Sequence, residues 1–114
     1  MKILCLGNGD NIGVRVYSWL KEHNQDVSLY RIHADEDPLR GNPYLYLTKH
    51  DIENNPHVSL ISDDLLNIRN ISLFGGKSID KINKDYDFII ITGGWHALIY
   101  SRKINKPKLF IYVG

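Results

Sequence analysis

The sequence predicts an α/β fold built on a parallel sheet, and three observations point there. Short apolar runs of strand length recur along the chain at Ile3–Leu6, Val27–Ile32, Phe88–Thr92 and Leu109–Val113. Such runs suit strands buried on both faces of a sheet. Helix-length segments separate them, which is the alternation of βαβ units. Glycine turns, Gly7–Gly13 and Gly93-Gly94, follow the first and the fourth of the expected strands. In open α/β sheets that is the carboxyl edge, where ligands bind.

The elements follow in order. Ile3, Leu4, Cys5 and Leu6 form the first strand, and Gly7-Asn8-Gly9-Asp10-Asn11-Ile12-Gly13 turns the chain. Ile12, Val16, Trp19 and Leu20 then recur at helical spacing, so a helix is predicted to about His23. Asp10 or Asn11 is expected to cap it, because either side chain can accept from an orphan N–H. Val27–Ile32 is the second strand, rich in β-formers. Residues 33–56 hold Pro38, Gly41, Pro43 and Pro56, so this connection is predicted to be long and irregular. Leu45, Leu47 and Ile52 are expected to dock it to the body, with a short helix within Thr48–Asn54. Tyr44 and Tyr46 also fall in it, read as packing rings or as part of a site.

His57–Ser62 is the third strand, and Leu65–Ile71 a short helix or irregular segment broken at Phe74-Gly75-Gly76. Ser78–Asn83 reads as a short helix with Ile79 and Ile82 inward. Phe88–Thr92 is the clearest buried strand. Trp95, Leu98, Ile99 and Arg102 continue as a helix after Gly93-Gly94, and Leu109–Val113 is the fifth strand. The whole is a single Rossmann-like domain over residues 1–114, a three-layer sandwich with strand order 3-2-1-4-5. Its switch point lies between the first and fourth strands, where the two glycine turns are expected to meet.

Composition narrows the function classes. A formal net charge of +1 supplies no bulk field for nucleic acid or an anionic membrane. No apolar run approaches the length of a membrane span, and no signal peptide is visible at the start. The single Cys5 cannot form an internal disulfide, which fits a reducing, cytoplasmic setting, and mid-strand it reads as a small core residue. One Cys and five scattered His show no zinc-ligand spacing.

The candidate site residues are Gly7, Asn8, Gly9, Asp10, Asn11, Gly93 and Gly94 for binding, with His96 as the one catalytic candidate. The first turn reads G-x-G-x-x-x-G, one place longer than the dinucleotide fingerprint, and no acid stands at the end of the second strand. A classical NAD site is therefore disfavoured, and Arg31, which could meet a 2′-phosphate, reads as a surface residue. Backbone approach to a sugar or phosphate is one use for the turn; a tight strand-to-helix bend is the other. Gly76-Lys77-Ser78 lacks the earlier glycine of a P-loop. His96 falls in the first turn of a helix at the carboxyl edge, where an imidazole can donate to a phosphate, act as a base, or help cap its own helix. His23, His33, His50 and His57 are read as surface residues without partners.

With these residues in hand, the chain resembles the amino-terminal domain of a GT-B glycosyltransferase of the kind grouped in families 1 and 4. The similar stretches are MKILCLGNGDN, a helix ahead of NQDVSLYRI, then DYDFIIITGGWHALI and KPKLFIYVG. The resemblance implies a cleft-facing glycine turn at Gly7–Gly13 and a polar segment at Gly93–His96. It implies sugar transfer from a sugar nucleotide, with no metal or other cofactor. Asp10-Asn11-Ile12-Gly13 stands where many members carry a double glycine and an acid. The family's second domain, which holds most donor contacts, has no counterpart in these residues. The chain is thus expected to be an acceptor-side part that needs its second domain or a partner chain. The alternative is a small non-catalytic nucleotide- or phosphate-binding module of Rossmann or flavodoxin-like build. A third reading, an interaction subunit, follows from a last strand with no helix after it, which also makes self-association plausible.

Overall fold

The computed structural model describes residues 1–32, 47–61, 77–93, 98–99 and 101–112. Five parallel strands form one sheet: β1 (Lys2–Leu6), β2 (Asp26–Ile32), β3 (Val58–Ile61), β4 (Phe88–Gly93) and β5 (Lys108–Tyr112). Their order is β3-β2-β1-β4-β5, as the strand and helix alternation predicted. Among the described residues, α1 (Ile12–Glu22), α2 (Lys49–Asn54) and α3 (Lys77–Asp85) accompany them. The expected stretches 33–46 and 62–76, including Tyr44, Tyr46, Leu45 and Leu65–Ile71, lie outside the described residues.

Alternation along the strands builds two cores. Ile3, Cys5, Val27, Leu29 and Val58 point to the α1 side, where Val14, Tyr17 and Leu47 meet them. Leu4, Leu6, Tyr30, Ile89 and Ile91 point to the other side, against Ile79 and Ile82 of α3 and Ile104. Burial of β1 on both faces explains its unbroken apolar run. Cys5 lies wholly inside, and burial pushes its thiol up to about 12.

Polar contacts fix the edges of the layers. The Lys2 amide donates to the Asp87 carboxylate at 2.8 Å, and the Asp87 amide returns a bond to the Lys2 carbonyl at 2.8 Å. Asn83 of α3 holds the β4–β5 connection from both sides, donating to the Lys103 carbonyl and accepting from the Asn105 amide. The Lys108 ammonium closes the carbonyls of Ser101 and Ile104, the favourable place for a cation at a helical C-terminus. Thr48 and Asp51 form a reciprocal capping box on α2. That hydrogen bonding holds the Asp51 carboxyl below its usual range.

Three expectations need correction. Neither Asp10 nor Asn11 caps α1 through its side chain; both adopt left-handed backbone, and the cap comes from Asn8. Of the predicted apolar series Ile12, Val16, Trp19 and Leu20, Val16 and Leu20 pack half-buried against the core, but the series is not the face that α1 buries most deeply. Gly13, Val14 and Tyr17 are buried, whereas Trp19 is 58% exposed. Arg31 is not a surface residue; at 6% exposure it lies within the sheet, paired in register with Leu60. Arg31 falls well inside β2, between β1 and β3, whereas Asp26 at the start of the same strand stays exposed.

Candidate functional site

The carboxyl edge of the sheet between β1 and β4 is where the two glycine turns were expected to converge. Parallel pairing places Leu6 beside Ile91, so the chain leaves both strands at the same edge. Gly7 takes a φ of 90° and Gly93 a φ of 137°, backbone that glycine adopts without a Cβ penalty. A short 3-10 turn, Gly9–Asn11, then leads into α1.

Gly13 seals the junction. A Cβ there would collide with the Gly7 carbonyl oxygen and stand 2.9 Å from the Thr92 hydroxyl. Thr92 in turn donates to that same Gly7 carbonyl at 3.0 Å. Helix α1 therefore starts in contact with the ends of β1 and β4 together. The late third glycine performs the close helix-to-strand packing that the dinucleotide turn assigns to its third glycine.

Asn8 is 0% exposed and serves the turn itself. Its Oδ1 accepts from the Val14 amide at 2.8 Å, and its Nδ2 donates to Asn11 Oδ1 at 3.3 Å. One of the orphan donors at the α1 N-terminus is thereby satisfied from within the chain. Asn11 is buried beside it. Asp10 alone among the named turn side chains is exposed, and it places a carboxylate on the rim. A carboxylate there accepts hydrogen bonds from hydroxyl groups and repels a phosphate.

The structure thus brings Gly7, Asn8, Gly9, Asp10, Asn11 and Gly93 to one rim. Gly94 and His96 lie outside the described residues. Thr92 was read only as the end of a strand; its signal is a hydroxyl residue directly before the paired glycines. Among the described residues, no group of three His, Cys, Asp or Glu could hold a metal ion, and no helix is long and apolar enough to cross a membrane.

Two histidines read as solitary have partners away from this rim. His57 Nδ1 lies 3.2 Å from the buried Ser28 hydroxyl. The His23 ring stacks on Trp19 with centroids 4.1 Å apart, and its Nδ1 donates to the Trp19 carbonyl at 2.7 Å.

Fold and rim together define a doubly wound, Rossmann-like α/β domain. Compared with known family models, curated proteins and solved structures, the chain matches none.

Proposed function

We propose that this domain binds a hydroxyl-rich small molecule at the β1–β4 rim and serves as the acceptor-side domain of a GT-B-like glycosyltransferase. One observation carries the reading. Asp10 presents an exposed carboxylate at the switch point, while the Asn8 side chain occupies the Val14 amide of α1. That combination suits the hydroxyls of a sugar acceptor better than the phosphates of a donor. Transfer from a sugar nucleotide then requires the donor to be held against the acceptor by a second domain or a partner chain. In this reading His96 contacts a donor phosphate or an acceptor hydroxyl.

The test is ligand-induced stabilisation of the purified chain, measured with neutral glycans, sugar nucleotides, NAD(P) and flavin nucleotides. Stabilisation by a glycan or a sugar nucleotide that is lost in Asp10→Ala supports the proposal. A response to NAD(P) or a flavin nucleotide alone overturns it and assigns a non-catalytic nucleotide-binding module instead. The strand order bears on that alternative, because flavodoxin-like sheets run 2-1-3-4-5 rather than 3-2-1-4-5.

A further inference from the structure

Strand β5 ends the sheet, and among the described residues nothing pairs with its outer side. The ladder with β4 fixes which backbone groups lie on that side. Lys108 is the register partner of Ile89, and the Ile89 amide donates to the Pro107 carbonyl. In a strand the amide and carbonyl of one residue point the same way, and alternate residues face the same neighbour. Pro107, Leu109 and Ile111 thus face β4. The amides and carbonyls of Lys108, Phe110 and Tyr112 point outward.

This edge lacks the devices that usually blunt one. Residues 109–112 carry no charge and no proline, and their register with β4 is unbroken by a bulge. Lys108 is the one charge of the strand, and its ammonium is turned back to the carbonyls of Ser101 and Ile104. Both faces of β5 leave apolar surface open. Ile90 packs toward the α1 core, and its register partner Leu109, 51% exposed, shares that face with Ile111. On the opposite face Phe110 packs against the α3 core, and Tyr112 beside it is 67% exposed.

We infer that β5 pairs antiparallel with β5 of a second copy, about a two-fold axis between their Phe110 residues, joining two sheets into one. Only an extended strand satisfies a row of edge amides and carbonyls, and β5 is self-complementary as that strand. Phe110 exchanges both backbone bonds with Phe110 of the second copy, and Lys108 does so with Tyr112. On the α1 face Leu109 meets Ile111 of the second copy, apolar against apolar. On the α3 face Phe110 meets Phe110. Charge selects the direction: each lysine lies opposite a tyrosine, whereas a parallel pair in register would set Lys108 against Lys108. The two-fold pairing occupies both open β5 edges, so the assembly closes as a dimer. It is independent of any ligand at the β1–β4 rim.

Sedimentation of the purified chain over about a hundredfold range of concentration tests this, together with amide exchange read residue by residue. The chain should pass from monomer to dimer, and the Phe110 and Tyr112 amides should gain protection as it does. The Leu109 and Ile111 amides, already bonded to β4, should change little. Tyr112→Pro deletes an outward donor and leaves the bonds to β4 in place. It should weaken the dimer about tenfold or more. Leu60→Asn, at an exposed position on β3, should leave dimerisation unchanged. A chain that stays monomeric at every concentration, or a dimer indifferent to Tyr112→Pro, overturns the inference. So does a dimer that protects the β3 amides in place of Phe110 and Tyr112, which would assign association to the opposite edge.

Discussion

The Thr92 hydroxyl donates to the Gly7 carbonyl oxygen at 3.0 Å, joining residues 85 positions apart at the switch point. Both groups are buried, so the bond cannot be replaced by water without local opening. Thr92→Val keeps the shape and removes the donor. It should cost about 1–2 kcal/mol in urea unfolding, whereas Thr92→Ser should retain most of the stability. Equal stability of the valine variant would show that the bond holds nothing together.

Gly13→Ala tests the same junction sterically. The added methyl meets backbone rather than a flexible side-chain tip, so α1 has to move away from β1. The expected loss is about 3 kcal/mol, the upper end for overpacking. Because Gly13 and Thr92 share the Gly7 carbonyl, Gly13→Ala and Thr92→Val should combine non-additively in a double-mutant cycle.

Asn8→Ala removes the cap of α1 and leaves the Val14 amide without its acceptor. A loss of about 1–2 kcal/mol is expected. Hydrogen exchange should show faster exchange of the Val14 amide in particular. Asp10→Asn, which removes the charge and keeps a residue that tolerates left-handed backbone, should leave stability within about 0.5 kcal/mol.

These three sites also mark how far the sequence could be read. The strands Ile3–Leu6 and Phe88–Thr92 were legible because burial on both faces leaves an unbroken apolar run. The strand order followed from alternation and crossover handedness. The cap was assigned to the residues next to the helix, since the usual rule counts only two or three positions back. Here two left-handed residues bring the chain round, and a side chain six positions ahead of Val14 does the capping. Arg31 was misplaced for a related reason: a charged residue in a strand reads as solvent-facing until its neighbours on both sides are known. Likewise, helical spacing grouped Ile12, Val16, Trp19 and Leu20, but spacing alone does not say that Val16 and Leu20 pack against the core while Trp19 stays exposed.

Cys5 should be unreactive in the folded protein. Burial favours the neutral thiol, pushed up to about 12 from an ordinary 9.0, and the thiolate is the reacting species. Labelling by a thiol reagent at neutral pH should follow the unfolding rate. Rapid labelling under native conditions would contradict the packing of β1.

Alkaline pH should destabilise the fold through Tyr86. Burial, with the Tyr30 hydroxyl beside it, pushes Tyr86 up to about 12 from 10.0. The unfolded chain therefore releases this proton first as pH rises. The stability it contributes is complete below pH 10 and is lost progressively toward pH 12. Tyr86→Phe should flatten that part of the pH–stability curve while slightly lowering stability at neutral pH through loss of the bond to Tyr30. An unchanged alkaline profile would rule Tyr86 out as its origin.

Strand β1 precedes the other four strands in chain order, yet it lies in the middle of the sheet, between β2 and β4. During synthesis β1 can join β2 early, but its other edge stays open until residues 88–93 have emerged. A nascent or shortened chain ending before β4 would carry a bare, apolar central strand, the kind of edge that recruits foreign strands. Closure of the sheet is therefore a late event, and the paired bonds between Lys2 and Asp87 belong to its final step rather than its nucleus.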